Sequence, residues 1–597
     1  MASTSSFEAK VLMSKGKRAT AAYIHADCSS GRNPLHLNEV LDNLLNPVKA
    51  IDEWETIEWC KWLMAGGRTP DEFSSTVRAY DNATTCGLVW TPNFVAYRCR
   101  TCGISPCMSL CTECFKKGNH ARHDFNMFLS QAGGAFCDRH GPNKGSSSKK
   151  APTDLTCVAE AMMPRIILRL VQHLRENGRA GASPDAYKGA IQDADGFITM
   201  LLDFNNMGGL MRRVITAALT NPQKYRVLNE VPENLDTEYA QYQQESRRIY
   251  EEAVKSLPNP KPSDEFQDCP SLQENLVHKT FLEELVFWTV KFEFPQKVVC
   301  LLLNMLPDPD YKEALTRAFV LHYSRISMML ERSADPDTLS NRVVHVSVQL
   351  FSNESLALRM TEQLNLLHVM VISLKYMMNN ILIRNTLHNA DDNCHYVVDC
   401  AKPVMKDHCY WPLVSDLNNV LSHRPVALKF MSDDSLLEMW FAFLSMFQGM
   451  NVNQRELSQH IEFEPNTYYA AFSAELEASA YPMWALVSHL TDSSTAALTK
   501  RVLSACLTEI NNWLEAISCT TPTVEDSYQV SFHLPLHRYL AVFLCQAVAK
   551  QGISLNEVLP PAEYFLNLLM MHPLLVQVSP ILCKLFFLQM VVRKFCF

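Results

Sequence analysis

Between residues 86 and 140 the chain reads Cys86, Cys99-x-x-Cys102, Cys107, Cys111-x-x-Cys114, His120-x-x-His123 and Cys137-x-x-His140. Nothing else in the sequence restricts its own fold so tightly. A two-residue spacer lets both side chains of a pair curl onto one ion, and zinc takes four thiolate or imidazole ligands in a tetrahedron. One complete set is visible from the spacing: Cys99, Cys102, His120 and His123. A second can be drawn from Cys86, Cys111, Cys114, Cys137 and His140. The residues between are poor in long apolar runs, so metal has to supply much of the folding energy of this stretch. The pairs read as closed structural sites. No HExxH general base accompanies them, so a catalytic zinc is not expected.

Seven of the 20 cysteines fall in this stretch. The N-terminal residues MASTSSFEAKVLMSKGKRAT lack the apolar core of a signal peptide, which implies a cytoplasmic or nuclear chain where disulfides are rare. The scattered cysteines then read as small buried hydrophobes. A formal net charge of -9 argues against a nucleic-acid partner bound through long-range electrostatics. Arg98, Arg100, Lys116, Lys117, Arg122 and Arg139 are interleaved with Glu113, Asp124 and Asp138, the pattern of a solvated face. The most apolar segment runs from Phe565 to Val592. His572, Pro573, Gln577, Pro580 and Lys584 interrupt it, leaving no run of about 18 apolar residues. It reads as a pair of buried helices, and no membrane span is expected.

Residues 1–34 are rich in Ser, Ala, Lys and Gly and are expected to be disordered. Leu37, Val40, Leu41, Leu44 and Leu45, then Trp54, Ile57, Trp62 and Leu63, follow helical spacing and predict a small helical region over 35–83. The zinc-finger module occupies 84–142. The polar run PNKGSSSKKAP predicts a flexible linker over 143–152 and a first domain boundary there. From 153 to 597 the period is helical. Phe281, Leu282, Leu285, Val286 and Thr289 mark one apolar stripe. Leu436, Leu437, Trp440, Phe441, Leu444 and Phe447 mark another, opened by the capping cluster Ser432-Asp433-Asp434. Proline breaks recur and no fixed-period repeat is found, which favours an irregular helical scaffold over a regular solenoid. Val344, Val346, Val348 and Leu350 alternate with polar residues and suggest a strand. The fold class is therefore mainly α, with a small zinc-stabilised finger near the N-terminus.

The stretch CGLVWTPNFVAYRCRTCGISPCMSLCTECFKKGNHARH resembles the UBR box of the N-recognin family of E3 ubiquitin ligases. Three further segments are similar to the helical scaffold that follows the box in these ligases: SVQLFSNESLALRM (347–360), FQGMNVNQRELSQHIEFEP (447–465) and VSFHLPLHRYLA (530–541). The resemblance implies an E3 component that selects protein substrates, working with an E2 enzyme and ubiquitin. In the family the box holds three zinc ions, one cysteine bridging two of them. Carried over, Cys99, Cys102, His120 and His123 take the isolated site. Cys86, Cys111, Cys114, Cys137 and His140 take the paired site, with Cys114 as the bridge.

The sequence also departs from the family pattern. QAGGAFCDRHG runs straight through where the family has a CDCGD-type segment, a gap and a closing C-x-x-H. About a dozen residues, including two ligands, are missing relative to that pattern. Cys137-x-x-His140 is taken as the closing pair; an alternative alignment puts Cys137 and Asp138 on the CDCGD segment. Two zinc ions are expected, with Cys107 as a spare thiolate. The missing residues include acidic ones that in the family bind a free N-terminal amine, and Ser105 stands at a further acidic position. An ammonium group in a partly dry groove needs carboxylates in place of water, so binding of basic N-terminal degrons is expected to be weak. Cys394, His395, Cys400, His408 and Cys409 lack RING spacing and no activated cysteine nucleophile is evident. The RING is therefore expected outside this chain, which looks like an N-terminal portion or a truncated isoform. The competing reading is a non-catalytic zinc-containing adaptor that binds partners without ubiquitin transfer.

Overall fold

A computed structural model describes residues 2–31, 35–80, 95–101, 109–129, 151–260, 269–273, 276–384, 396–398, 402–448, 451–452, 476–518 and 534–561. It is predominantly helical and divides into two compact units. One comprises Met1–Pro258 and Glu274–His322, the other Asn259–Gln273 and Tyr323–Phe597.

The first unit begins with two helices, α1 (Ala2–Met13) and α2 (Lys17–Ser29), where the sequence reading expected disorder. Ala and Lys are strong helix formers as well as common in disordered chains. Here Ala9 and Leu12, then Ala21 and Ile24, supply short buried stripes at helical spacing. Next come α3 (Leu35–Leu44), α4 (Trp54–Ala65) and α5 (Pro70–Ala79). Leu37, Val40, Leu41 and Leu44 are buried, as the periodicity requires. Thr69 and Glu72 close a reciprocal capping box at the start of α5, with Pro70 in the first turn.

Residues 143–150 of the expected linker lie outside the described residues, but the linker does not separate two cores. After the finger, whose α6 is Thr112–Lys117, α7 (Cys157–Asn177) packs against α2, α3 and α4. Arg165 pairs with Asp42 at 2.6 Å, and Arg169 donates to the Lys49 carbonyl at 3.1 Å. Asp52 caps the helix Asp195–Asn205, accepting from Gly196 N at 3.1 Å and Phe197 N at 2.6 Å. A side chain at position 196 would put its Cβ 2.8 Å from that carboxylate, so the close approach requires glycine. The helices before the finger pack on one another and also against α7 and the helix Asp195–Asn205.

At the centre of this unit Arg175 and Glu284 form a bidentate pair, at 2.6 and 2.7 Å, with Glu284 fully buried. Tyr225 and Trp288 donate to the same carboxylate, and Arg175 also donates to Ser246 and Asn229. Beside it runs a directed chain of hydrogen bonds. His322 Nδ1 lies 2.6 Å from the Ala318 carbonyl, so that nitrogen carries a proton. With His322 neutral, its Nε2 accepts from His278 Nε2 at 2.9 Å, and His278 Nδ1 then accepts from Tyr250. With both imidazoles neutral, one arrangement of protons satisfies every link.

In the second unit Val344 to Leu350 belong to the helix Pro336–Phe351, not to a strand. Asp335 caps it through Thr338 N, and Pro336 sits in the first turn. Leu339, Val343, Val346 and Leu350 are its buried side, a helical stripe in which the alternating valines are incidental. The second stripe read from the sequence is the helix Asp434–Ser445, capped by the Asp433 carboxylate, which accepts from Leu436 N. The segments around 447 and 535 meet: Gln448 Nε2 lies 2.6 Å from His537 Nδ1, and Leu536 N donates to Gln448 Oε1 at 3.1 Å. Residues 449–450, 453–465 and 530–533 of those segments lie outside the described residues. The stretch Asn259–Gln273 joins this unit because Arg325 donates to the carbonyls of Ser271 (2.9 Å) and Gln273 (2.8 Å).

Asp416 is buried in the second unit, accepting from Tyr323 OH at 3.1 Å and from Ser347 Oγ. Burial pushes its carboxyl up to about 7, against the pull of the two hydroxyls. A folded pKa above the unfolded value of about 3.9 means that its contribution is fully present below pH 4. That contribution is lost as pH rises through 7. Calorimetric melting of the second unit should therefore fall between pH 5 and 8 in the wild type and follow a flatter profile in Asp416→Asn. Parallel profiles would show that this carboxyl does not titrate in that range.

Among the described residues no helix is long and apolar enough to cross a membrane; Phe565–Val592 lies outside them.

Candidate metal centre

The described part of the finger is a three-stranded antiparallel sheet and one short helix. Strand β1 (Val95–Cys99) lies between β2 (Leu110–Cys111) and β3 (Phe125–Leu129). The register pairs Ala96 with Cys111 and Cys99 with Phe125. This puts Cys99 at the end of β1 that faces the turn entering β3. Arg100 N donates to Asp124 O at 2.8 Å and Asp124 N to Thr101 Oγ1 at 3.0 Å, which fixes that end. In the same turn His123 N donates to His120 O at 3.1 Å.

The result is convergence. The ligand atoms of Cys99, His120 and His123 all lie within 4.8 Å of one another. Cys99 Sγ is 3.6 Å from His123 Nδ1. Zinc–sulfur and zinc–nitrogen bonds of about 2.3 and 2.0 Å at a tetrahedral angle put those two atoms about 3.5 Å apart. The donor set therefore fits a zinc ion, with Cys99, His120 and His123 as the residues that would hold it. Burial, and then the neighbouring His123, lower the pKa of His120, favouring the neutral ring that a metal needs. Cys102, the fourth residue assigned to this set by spacing, lies outside the described residues.

Cys111 and Cys114 are buried side by side against Leu110. Cys111 is the N-cap of α6, its sulfur accepting from Cys114 N at 3.4 Å. Their spacing partners Cys86, Cys137 and His140 lie outside the described residues, as do Ser105 and Cys107. Of the cationic residues, Arg100 pairs with Asp124 at 3.4 Å and Arg98 stacks over Phe128 at 5.2 Å. Cys409 of the irregular second cluster is buried, and burial pushes its thiol up to about 11, unlike a nucleophile. Cys394, His395 and Cys400 lie outside the described residues.

Sequence spacing gave no role to the aromatic residues around the ligands. Tyr97 stacks on Phe115 at 4.2 Å and 11°, and Phe115 stacks on His120 at 4.5 Å and 4°. Phe125 leans on Phe115 at 4.7 Å. Gly118 is needed beneath His120, since a Cβ there would meet the ring's Nε2 at 2.4 Å.

Comparison with known proteins agrees with this geometry. Residues 85–145 match the family described as a putative zinc finger in N-recognin, the UBR box. Residues 245–578, more than half of the chain, match the UBR1/2/3-like ARM repeat domain. The chain belongs to the UBR family. It is 56% identical over 586 residues to E3 ubiquitin-protein ligase Ubr3 of Drosophila melanogaster, covering 96% of this chain and 26% of that protein. It is 45% identical over 589 residues to UBR3 of Homo sapiens, covering 88% of this chain and 31% of that protein. With UBR1 of Homo sapiens identity falls to 21% over 585 residues. The chain spans about a quarter to a third of the length of these curated relatives. The helices from Phe281 to Asn379 run from 9 to 16 residues, which explains why an ARM repeat family shows no fixed sequence period here.

Proposed function

We propose that this chain is the partner-docking portion of a UBR-type E3 ubiquitin ligase, presenting protein substrates for ubiquitin transfer by a RING outside it. The observation that carries the reading is collinear similarity to Ubr3 over 96% of the chain, finger and helical scaffold together. The finger holds two zinc ions in a closed structural role. Its shortened sequence lacks the family's acidic residues for a free N-terminal amine, so recognition here does not centre on basic N-termini. An Arg-starting peptide binding with micromolar affinity by calorimetry would contradict that part. The E2 enzyme and ubiquitin engage the full-length ligase, in the cytoplasm or nucleus.

The test is reconstitution. The chain mixed with E1, a panel of E2 enzymes, ubiquitin and ATP should form no ubiquitin chains above the no-ligase control, while the full-length ligase should form them. Robust ubiquitin-chain synthesis by residues 1–597 alone would place the transfer machinery inside this segment and overturn the assignment.

A further inference from the structure

The ligand spacing assigns no role to the aromatic column beside the metal ligands. Its geometry is specific. Three rings from three places in the chain lie nearly parallel: Tyr97 on β1, Phe115 on α6, and His120 in the loop after α6. The planes of Phe115 and His120 differ by 4°, with centroids 4.5 Å apart. Phe125 closes the side of the column at 60° to Phe115. An imidazole ligand must hold one ring nitrogen on the metal, so whatever fixes its plane fixes its lone pair. The opposite side of the turn is fixed by His123, set edge-on to His120 at 80°.

We propose that Phe115 is a positioning residue for zinc, acting through His120. Its ring sets the plane of the imidazole, and Tyr97 backs the ring from the other side. Because Phe115 directly follows Cys114, the same short helix that begins on Cys111 carries both a thiolate pair and the plate that orients His120. The inference rests on zinc occupying the Cys99–His120–His123 set, and Cys99→Ser serves to identify that ion.

The experiment uses the full chain, reduced and zinc-loaded, titrated with a chromophoric chelator so that individual zinc equivalents are resolved. Cys99→Ser should weaken one equivalent drastically; if it leaves every equivalent unchanged, the metal assignment itself fails, separately from the role of Phe115. Against that reference, Phe115→Leu keeps an apolar side chain of similar bulk but no planar face. It should weaken the same equivalent by about tenfold, the size of effect seen when a metal ligand loses its supporting partner. Phe115→Tyr should return it to within about threefold of wild type, since the stacking face is retained. Cobalt substitution gives a second readout: the visible ligand-field bands of this site should change in Phe115→Leu and be restored in Phe115→Tyr. The proposal is overturned if Phe115→Leu binds like wild type, or if Phe115→Tyr is as weak as Phe115→Leu. It is overturned equally if all equivalents weaken in parallel, which would make Phe115 a general part of the finger's core.

Discussion

Stripping zinc from the chain is expected to unfold residues 95–129 while leaving the helices of both units intact. The reason lies in what the finger buries. Its buried apolar residues among those described are Ala96 and the three cysteines Cys99, Cys111 and Cys114. Phe125, Met127 and Leu129, three of the four large apolar side chains of β3, are 43%, 62% and 56% exposed, and Phe128 is half-buried. A three-stranded sheet of this size cannot offset its chain entropy with that little burial. Structural zinc contributes an apparent 10–16 kcal/mol in comparable small modules, far more than the rest of the finger supplies. Each helical unit, in contrast, has its own extended apolar core and needs no metal. Hydrogen exchange after chelation should show protection lost across β1, β2 and β3, with α7 and the helix Phe281–Lys291 unchanged. Ligation needs thiolates, so mild acid should mimic the chelator. Metal analysis of the untreated sample should count two ions. Retained protection in β1 and β3 without metal would show that the sheet stands on its own packing.

How much of this could be read beforehand depends on the range over which each signal acts. Ligand spacing is local, so the convergence of Cys99, His120 and His123 is anticipated by two-residue spacers. Helical stripes are local too: the buried residues of the helices Leu35–Leu44, Phe281–Lys291 and Asp434–Ser445 sit where the period puts them. The Val344–Leu350 strand failed because a two-residue alternation over seven positions also contains Val346 and Leu350, four apart on one helical face. The decisive signals, Asp335-Pro336 at the helix start, lay eight residues upstream. The N-terminal helices were misjudged because low-complexity Ala/Lys composition does not reveal that Ile24 and Leu12 find a partner surface. That surface comes from elements further along the chain. The domain boundary failed for the same reason. A polar linker marks where backbone is solvated, but Asp42, Pro47, Lys49 and Asp52 meet Arg165, Arg169 and Gly196 more than 100 residues away. Nothing in the sequence joins them. The Phe115–His120 stack lies between these extremes. Only four residues separate the rings, but aromatic pairs carry no spacing rule as strict as a metal's.

The second large effect is expected at Glu284. Replacing it with Ala should lower the stability of the first unit by about 3–5 kcal/mol, the cost of breaking a buried pair by deleting one partner. Nearly all of that cost falls on what is left behind. Arg175, about 6% exposed at its side chain, would keep its charge with only neutral partners, Ser246 and Asn229, for its five N–H donors. Tyr225 OH and Trp288 Nε1 would also lose their acceptor. Gln in place of Glu keeps the shape and one acceptor but removes the charge, so it should fall between Ala and wild type. The pair itself is a different quantity from the damage done by halving it. Taking two charges out of water costs several kcal/mol per ion, and the bidentate contact mainly repays that. Arg175→Met combined with Glu284→Leu, which removes both charges and fills the space, should therefore be markedly more stable than either Arg175→Met or Glu284→Ala alone. Urea denaturation monitored by far-UV circular dichroism would measure all four variants. If the double substitution proves no better than the worse single one, the network's value lies in its hydrogen bonds to Tyr225, Trp288, Ser246 and Asn229. These tie together four helices, Cys157–Asn177, Pro222–Leu228, Glu238–Ser256 and Phe281–Lys291, with the Asn229 cap between the second and third. In the first case the charges are replaceable cargo in an apolar core; in the second they are the feature that sets how those helices dock.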